Sequence, residues 1–357
     1  MRPTGALKVC MSQPHSAEGP RRLAEIDALR GVAALAVVLF HYTTRFAELY
    51  APAATPSFTV PLGHYGVNLF FIISGFVIFM TLSRTQRSMD FVVSRFSRLF
   101  PAYWVAVAMT YAVTSQFGLP GKEVTALQAL ANFFMVHGVF RVPHVDGVYW
   151  TLEVELIFYA GMLALYMRGQ LHRVYWVIGA MLALRLVYHV AAQAFGVDLS
   201  WMLYRLTILK YIPWFGLGIF VYQVAVGGHR AGDLPARVTA VLALVCLALV
   251  DGLMLAALAA ALTAIVWGAA AGRLPWLANP VLSFLGTISY TLYLLHENIG
   301  WVVQRAVLAQ GWPFDASIGA ALVVAIGLAS LLTYTVEKPA MRWVRDWYRR
   351  RPTALAA

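Results

Sequence analysis

Apolar residues along this chain come in long unbroken runs rather than in alternating or single-faced patterns. Ten stretches approach the roughly 20 mostly apolar residues that a helix needs to cross a hydrocarbon core. They fall at 26–48, 63–83, 91–117, 147–167, 173–193, 206–226, 237–253, 254–272, 280–303 and 315–337. The run 237–272 is continuous except at Asp251-Gly252, which reads as a tight turn between two short spans. The apolar stretch 124–140 is short and reads as interfacial or re-entrant. No internal repeat, linker or second domain interrupts the pattern. It predicts an all-α, polytopic membrane helix bundle of about ten transmembrane helices over 26–337, between an N-terminal tail (1–25) and a basic C-terminal tail (338–357).

Composition sharpens this. Hydrophobic residues make up 61% and charged residues 12%, against about 45–50% and about 25% in soluble domains. A disordered chain, a coiled coil and a disulfide scaffold are excluded. The two cysteines, Cys10 and Cys246, are too few for a thiolate zinc site or an iron–sulfur cluster, so no metal is expected. Net charge is +11. With the N-terminus inside, 19 of the 27 Lys and Arg residues fall in cytoplasmic segments and five in outer ones. That asymmetry predicts an even number of spans with both termini cytoplasmic. No basic–aromatic stripe points to nucleic acid. Residues 1–25 lack the apolar core of a signal peptide.

Ionisable groups inside spans are expensive and mark candidate function. In the first, IDALRGVAALAVVLFHY, Arg30 and His41 are eleven residues apart, about three helical turns and a rise of about 16 Å, on one face. Asp27 lies one turn before Arg30. A snorkelling arginine and a satisfied core histidine are the bland alternative. In the third, Arg95 and Arg98 share a face, with Pro101 a turn on. Two guanidiniums there could grip phosphates bidentately, or serve only as positive-inside anchors. In the fourth, Glu155 follows Trp150 at a depth comparable to His41. Carboxylate and imidazole could polarise each other for general-base work, or form a structural ion pair. In the ninth, Ser289, Tyr293 and His296 share a face by 3–4 spacing. The glycines of GHYGVNLFFIISG read as close-packing positions.

Taken in order, these blocks resemble the acyltransferase family 3 membrane proteins. The family's Arg-x10-His signature matches Arg30 and His41. Its second-span pattern matches Gly63 to Gly75, and its Arg-x-x-Arg pair with Pro matches Arg95, Arg98 and Pro101. Its W-[ST]-L-x-x-E block matches Trp150 to Glu155, its S-Y-x-L-Y-L-x-H block Ser289 to His296, and its E-x-P Glu337 to Pro339. The resemblance implies an integral-membrane O-acyltransferase in the bacterial cytoplasmic (inner) membrane. It would move an acyl group, commonly acetyl, from cytoplasmic acyl-CoA to a hydroxyl of a carbohydrate or lipid-linked glycan, and it implies the form without an SGNH-type domain. No cofactor would be permanently bound; acyl-CoA is a substrate.

The same resemblance carries roles. Arg95 and Arg98, assisted by Arg30, would hold the CoA. His41 would be the general base with Glu155 fixing its tautomer, or would itself carry the acyl group. Ser289 and His296 would contact acceptor or thioester. A glycosylated secondary metabolite is the alternative acceptor. A transporter or flippase, and a non-catalytic scaffold or sensor, are the rival readings of the same buried charges.

Overall fold

The computed structural model of the protein describes residues 19–50, 53–226 and 234–350, and every regular element among them is helical. α1 (Gly19–Leu39) runs through a π-helical turn (Phe40–Arg45) into α2 (Phe46–Tyr50). Then come α3 (Gly66–Arg84), α4 (Ser88–Phe117), the short α5 (Ala126–Asn132), α6 (Trp150–Met167), α7 (Val174–Phe195), α8 (Trp201–Thr207) and α9 (Ile212–Ala225). The chain ends with α10 (Leu234–Val250), α11 (Leu253–Ala270), α12 (Pro280–Leu295), α13 (Glu297–Ala309), α14 (Phe314–Leu332), a second π-helical turn (Thr333–Glu337) and α15 (Lys338–Arg349).

All ten predicted segments are helical. Among the described residues, six helices are long and apolar enough to cross a membrane: Pro61–Arg84, Gly147–Met167, Leu171–Phe195, Trp201–Ala225, Leu253–Ala270 and Phe314–Arg349. α10 and α12 are apolar but shorter. α1 and α4 have the length but carry Asp27 and Arg30, and Asp90, Arg95 and Arg98, within them. The turn expected at Asp251-Gly252 is present, with Gly252 at φ 100°, where a side chain would be strained.

Three features differ from a simple row of spans. The segment 280–303 is not one helix: it breaks at His296, between α12 and α13. The stretch 124–140 forms α5 and a 3₁₀ turn at His137–Phe140, neither long enough to cross. The basic tail does not begin as a tail, because α15 follows the second π turn directly. Cys10 and the charges at Arg2, Lys8, Arg230 and Arg351 lie outside the described residues.

Helices approach closely where glycines face backbone. α1 and α12 run parallel, a constant 255 positions apart. Gly31 lies against Gly286, where an added Cβ would sit 2.6 Å from the Gly286 nitrogen, and His41 lies against His296. α3 and α9 cross as tightly, with Gly75 against the Phe215 carbonyl and Gly218 against that of Ile72. Small residues that let backbones touch are the usual currency of helix association in lipid. The contact brings α1, α3 and α12 around a shared polar interior.

Candidate active site

The first part of the site is a cavity of about 190 Å³ between α1, α3, α4, α6 and α12. It gathers Asp27, Arg30, Arg95, Arg98, Glu155, Ser289 and Tyr293 from elements far apart in sequence. Arg30 pairs with Asp27 one turn away at 3.6 Å. The Oε1 atom of Glu155 accepts hydrogen bonds from Ser74 Oγ at 2.8 Å and from the Tyr159 hydroxyl. Thr151, Glu155 and Tyr159 follow one another at helical spacing, so one face of α6 forms a polar wall over two turns. Arg95 Nη2 donates to Ser94 Oγ at 3.2 Å, while its Nε is buried without a partner. Glu337, buried at the second π turn, lies within electrostatic reach of Arg98 and Arg30. Ser289 Oγ donates to the Gly286 carbonyl at 2.8 Å.

Tyr293 and Thr151 close the cavity at the level where their hydroxyls meet at 2.9 Å. Beyond them lies the second part, a layer built on two helix irregularities. The break at His296 leaves carbonyls near the end of α12 without their helical donors. His296 Nδ1 faces two of them, Tyr293 at 2.9 Å and Leu292 at 3.2 Å. Carbonyl oxygens only accept, so Nδ1 carries the hydrogen and a neutral His296 presents a bare Nε2. That Nε2 lies 3.1 Å from His41 Nδ1, which also faces the Val37 carbonyl at 2.9 Å. In a neutral His41 the hydrogen therefore sits on Nδ1, and the His41 Nε2 is left bare. Glu297 Oε2 is 3.6 Å from that atom.

The π turn in α1 is fixed from α13: Trp301 Nε1 donates to the His41 carbonyl at 3.1 Å and Gln304 Nε2 to that of Tyr42 at 3.0 Å. Single π turns often occur at functional sites. Asp146, fully buried, accepts from Val148 N and Asn298 N, capping the turn before α6 and the start of α13 together. Burial, then the neighbouring Glu297 carboxylate, push the Asp146 carboxyl well above the ordinary range. Lys122 reaches in from the loop before α5 and binds Glu297 Oε1 at 3.2 Å, supplying the counter-charge.

The structure thus groups the sequence candidates in two. Asp27, Arg30, Arg95, Arg98, Glu155, Ser289 and Tyr293 line the cavity. His41 and His296 form the layer beyond it and do not line it. Glu155 and His41 are not at one depth, as residue counting predicts. Glu155 is a turn below Thr151 on α6, and His41 is level with His296, a turn above Tyr293, which separates them by roughly 10 Å along the helix axes. The carboxylate beside His41 is Glu297. Sequence reasoning missed it, along with Lys122 and Asp146; the signal available was an acidic residue directly after the last histidine of the ninth segment.

The fold and site together define a membrane helix bundle with a buried histidine pair beyond an arginine-lined cavity. The chain belongs to acyltransferase family 3: the family Acyl_transf_3, described as an acyltransferase domain, matches residues 23–336. It is an integral-membrane acyltransferase. It is similar to the exopolysaccharide production protein ExoZ of Rhizobium meliloti, 29% identical over 79% of this chain and 90% of ExoZ. It is also similar to the acyltransferase MdmB of Streptomyces mycarofaciens, 26% identical over 94% of this chain and 95% of MdmB. The peptidoglycan O-acetyltransferase OatA of Listeria monocytogenes is 26% identical over 38% of this chain and 22% of OatA. No solved structure shows a significant match.

Proposed function

We propose that the protein transfers an acyl group, most simply acetyl, from acyl-CoA to a hydroxyl of a carbohydrate acceptor in the bacterial cytoplasmic membrane. The observation that carries this reading is the stacking of the two parts of the site: an arginine-lined cavity ends at Tyr293, one helical turn from His296, which touches His41, and the free nitrogen of His41 faces the Glu297 carboxylate. The names of two relatives, exopolysaccharide production protein and peptidoglycan O-acetyltransferase, support a polysaccharide acceptor. MdmB covers more of the chain, and its name, acyltransferase, says nothing of the acceptor; a glycosylated secondary metabolite is the alternative acceptor.

In this mechanism Arg95 and Arg98, with Arg30 behind them, bind the CoA phosphates. The pantetheine arm runs along the Thr151–Glu155–Tyr159 wall, and the thioester arrives at Tyr293. His41 Nε2 takes the proton of the acceptor hydroxyl as its oxygen attacks the thioester carbonyl. Glu297 stabilises the resulting imidazolium, and as the C–S bond breaks that proton passes from His41 to the departing CoA sulfur, which restores the neutral imidazole. His296 holds the His41 tautomer, the task counting gives to Glu155. Glu155, bonded to Ser74 and Tyr159, acts instead within the donor cavity. The charge asymmetry of the chain supports an arginine end in the cytoplasm, with acceptor entering past Lys122 from the other face.

The test is direct. Purified protein in lipid nanodiscs with acetyl-CoA and a candidate glycan should release free CoA and yield acetylated glycan. His41→Ala, inserted and stable, should do neither. Transfer by that variant near the wild-type rate would remove His41 from the mechanism. Cysteine labelling near positions 12 and 352 in intact cells tests the orientation, since labelling from outside at either end is incompatible with it.

A further inference from the structure

Outside the donor cavity, at the same end of the bundle, a second cleft of about 390 Å³ lies between the first turns of α4 and the C-terminal half of α15. Asp90, Val93 and Ser94 form one wall, and Arg345, Tyr348 and Arg349 the other. The hydrogen bond from Arg95 to Ser94 links a lining residue of the cavity to one of the cleft. Arg345 is within electrostatic reach of Arg95, Arg98 and Arg349. Among the described residues, none of these four guanidiniums forms an ion pair with a carboxylate. Arg345 Nε, like Arg95 Nε, is buried without a hydrogen-bond partner. The one acid in the cleft, Asp90, is held by the Tyr348 hydroxyl at 2.9 Å.

Four like charges drawn together, two of them with a buried donor unpartnered, raise the energy of the empty site, and a ligand carrying several negative charges lowers it. The arginines form two sets, Arg95 with Arg98 at the cavity mouth and Arg345 with Arg349 in the cleft. A matching ligand therefore carries anionic groups at two places along its length, joined by a segment narrow enough to pass Ser94. We propose that this cleft binds the 3′-phosphoadenosine end of the acyl-CoA donor, with Arg345 and Arg349 on the 3′-phosphate and Arg95 and Arg98 on the diphosphate. The inference rests on the acyl-CoA reading above. It adds α15 to the donor site, and places there a helix whose other face carries the exposed Trp343.

The experiment compares acetyl-CoA with acetyl-3′-dephospho-CoA in the full chain, in nanodiscs of phosphatidylcholine alone and with phosphatidylglycerol. Wild type should show a KM about tenfold higher for the dephospho donor, the lower range of a charge-assisted contact at a half-exposed site. Arg345→Ala should raise KM for acetyl-CoA about tenfold at unchanged kcat, and leave KM for the dephospho donor unchanged. Arg345→Lys should recover part of the loss, since an ammonium lacks the planar fork. Arg342→Ala, an exposed arginine of the same helix outside the cleft, controls for net charge and should behave as wild type. Equal effects of Arg345→Ala on both donors overturn the assignment. So does an effect confined to phosphatidylglycerol discs, which marks a lipid headgroup site. If wild type does not use acetyl-CoA at all, the donor reading fails by itself. Equilibrium binding of adenosine 3′,5′-bisphosphate then decides the cleft: binding lost in Arg345→Ala sustains it, and no binding to wild type overturns it.

Discussion

The arginine-lined cavity and the histidine layer differ in how their polar atoms are satisfied. Around His41 most groups have a fixed partner, although the acceptors Asn298 Oδ1 and Gln304 Oε1 are buried without one. His296 is held by two carbonyls, the π turn by Trp301 and Gln304, Glu297 by Lys122, and the helix start by Asp146. Around Arg95 and Arg345 it is charged donors that lack partners, the buried Nε of each guanidinium. A region whose hydrogen bonds are internal is organised before substrate arrives, which is what proton transfer at a defined atom needs. A region with unspent donors is organised for a ligand that brings the missing acceptors. The two lie on either side of the Tyr293–Thr151 contact.

The sharpest way to break the comparison is at His41. His41→Ala should lower kcat by about 10²- to 10⁴-fold, the usual contribution of a general base, with little change in donor KM. Insertion and folding are verified by size-exclusion chromatography in detergent. In the cavity, Arg98→Ala and Arg95→Ala should each raise the acyl-CoA KM by roughly 10- to 150-fold, from the loss of a contact of about 1.5–3 kcal/mol. A fall in kcat at unchanged KM would place them with the histidine layer instead.

Two carboxylates then separate the regions. Glu297→Gln keeps the shape beside His41 but removes the charge that stabilises its imidazolium, and should lower kcat about tenfold. Glu155→Gln should act on donor KM, because its oxygen faces Ser74 and Tyr159 and not the imidazole. Steady-state kinetics on the pair tell the assignments apart; a larger kcat loss in Glu155→Gln would restore it as the partner of His41. The smallest effect is expected at the boundary. Tyr293→Phe removes the bond to Thr151, worth about 0.5–1.5 kcal/mol, and should change kcat or KM by less than about tenfold.

Much of this was legible in the sequence because the physics is local. Apolar runs of the right length become helices, since in lipid each backbone polar group must be satisfied within its own segment. Charges inside those runs stand out against that background. Hence Arg30, His41, Arg95, Arg98, Glu155 and His296 stood out as candidates, and the glycines of the second segment do pack against backbone, Gly66 on the Ala33 carbonyl and Gly75 on that of Phe215.

Which of these residues meet is another matter. Counting along a helix measures depth only within that helix. The offset between α1 and α6 depends on how each packs, and it puts Glu155 in the cavity rather than beside His41. The sequence marked the break at His296 only by the polar run His296-Glu297-Asn298, which reads equally well as functional residues within one continuous span. That break lets Glu297 turn back toward His41, and Asp146 and Lys122 reach it only through loops folded from elsewhere. The sequence alone thus determined the helices, their polar residues and the class of chemistry. The tertiary structure decided which carboxylate lies beside the histidine, and brought α15 against α4 near the cavity, because contacts between segments depend on tilt, break and offset that no single segment encodes.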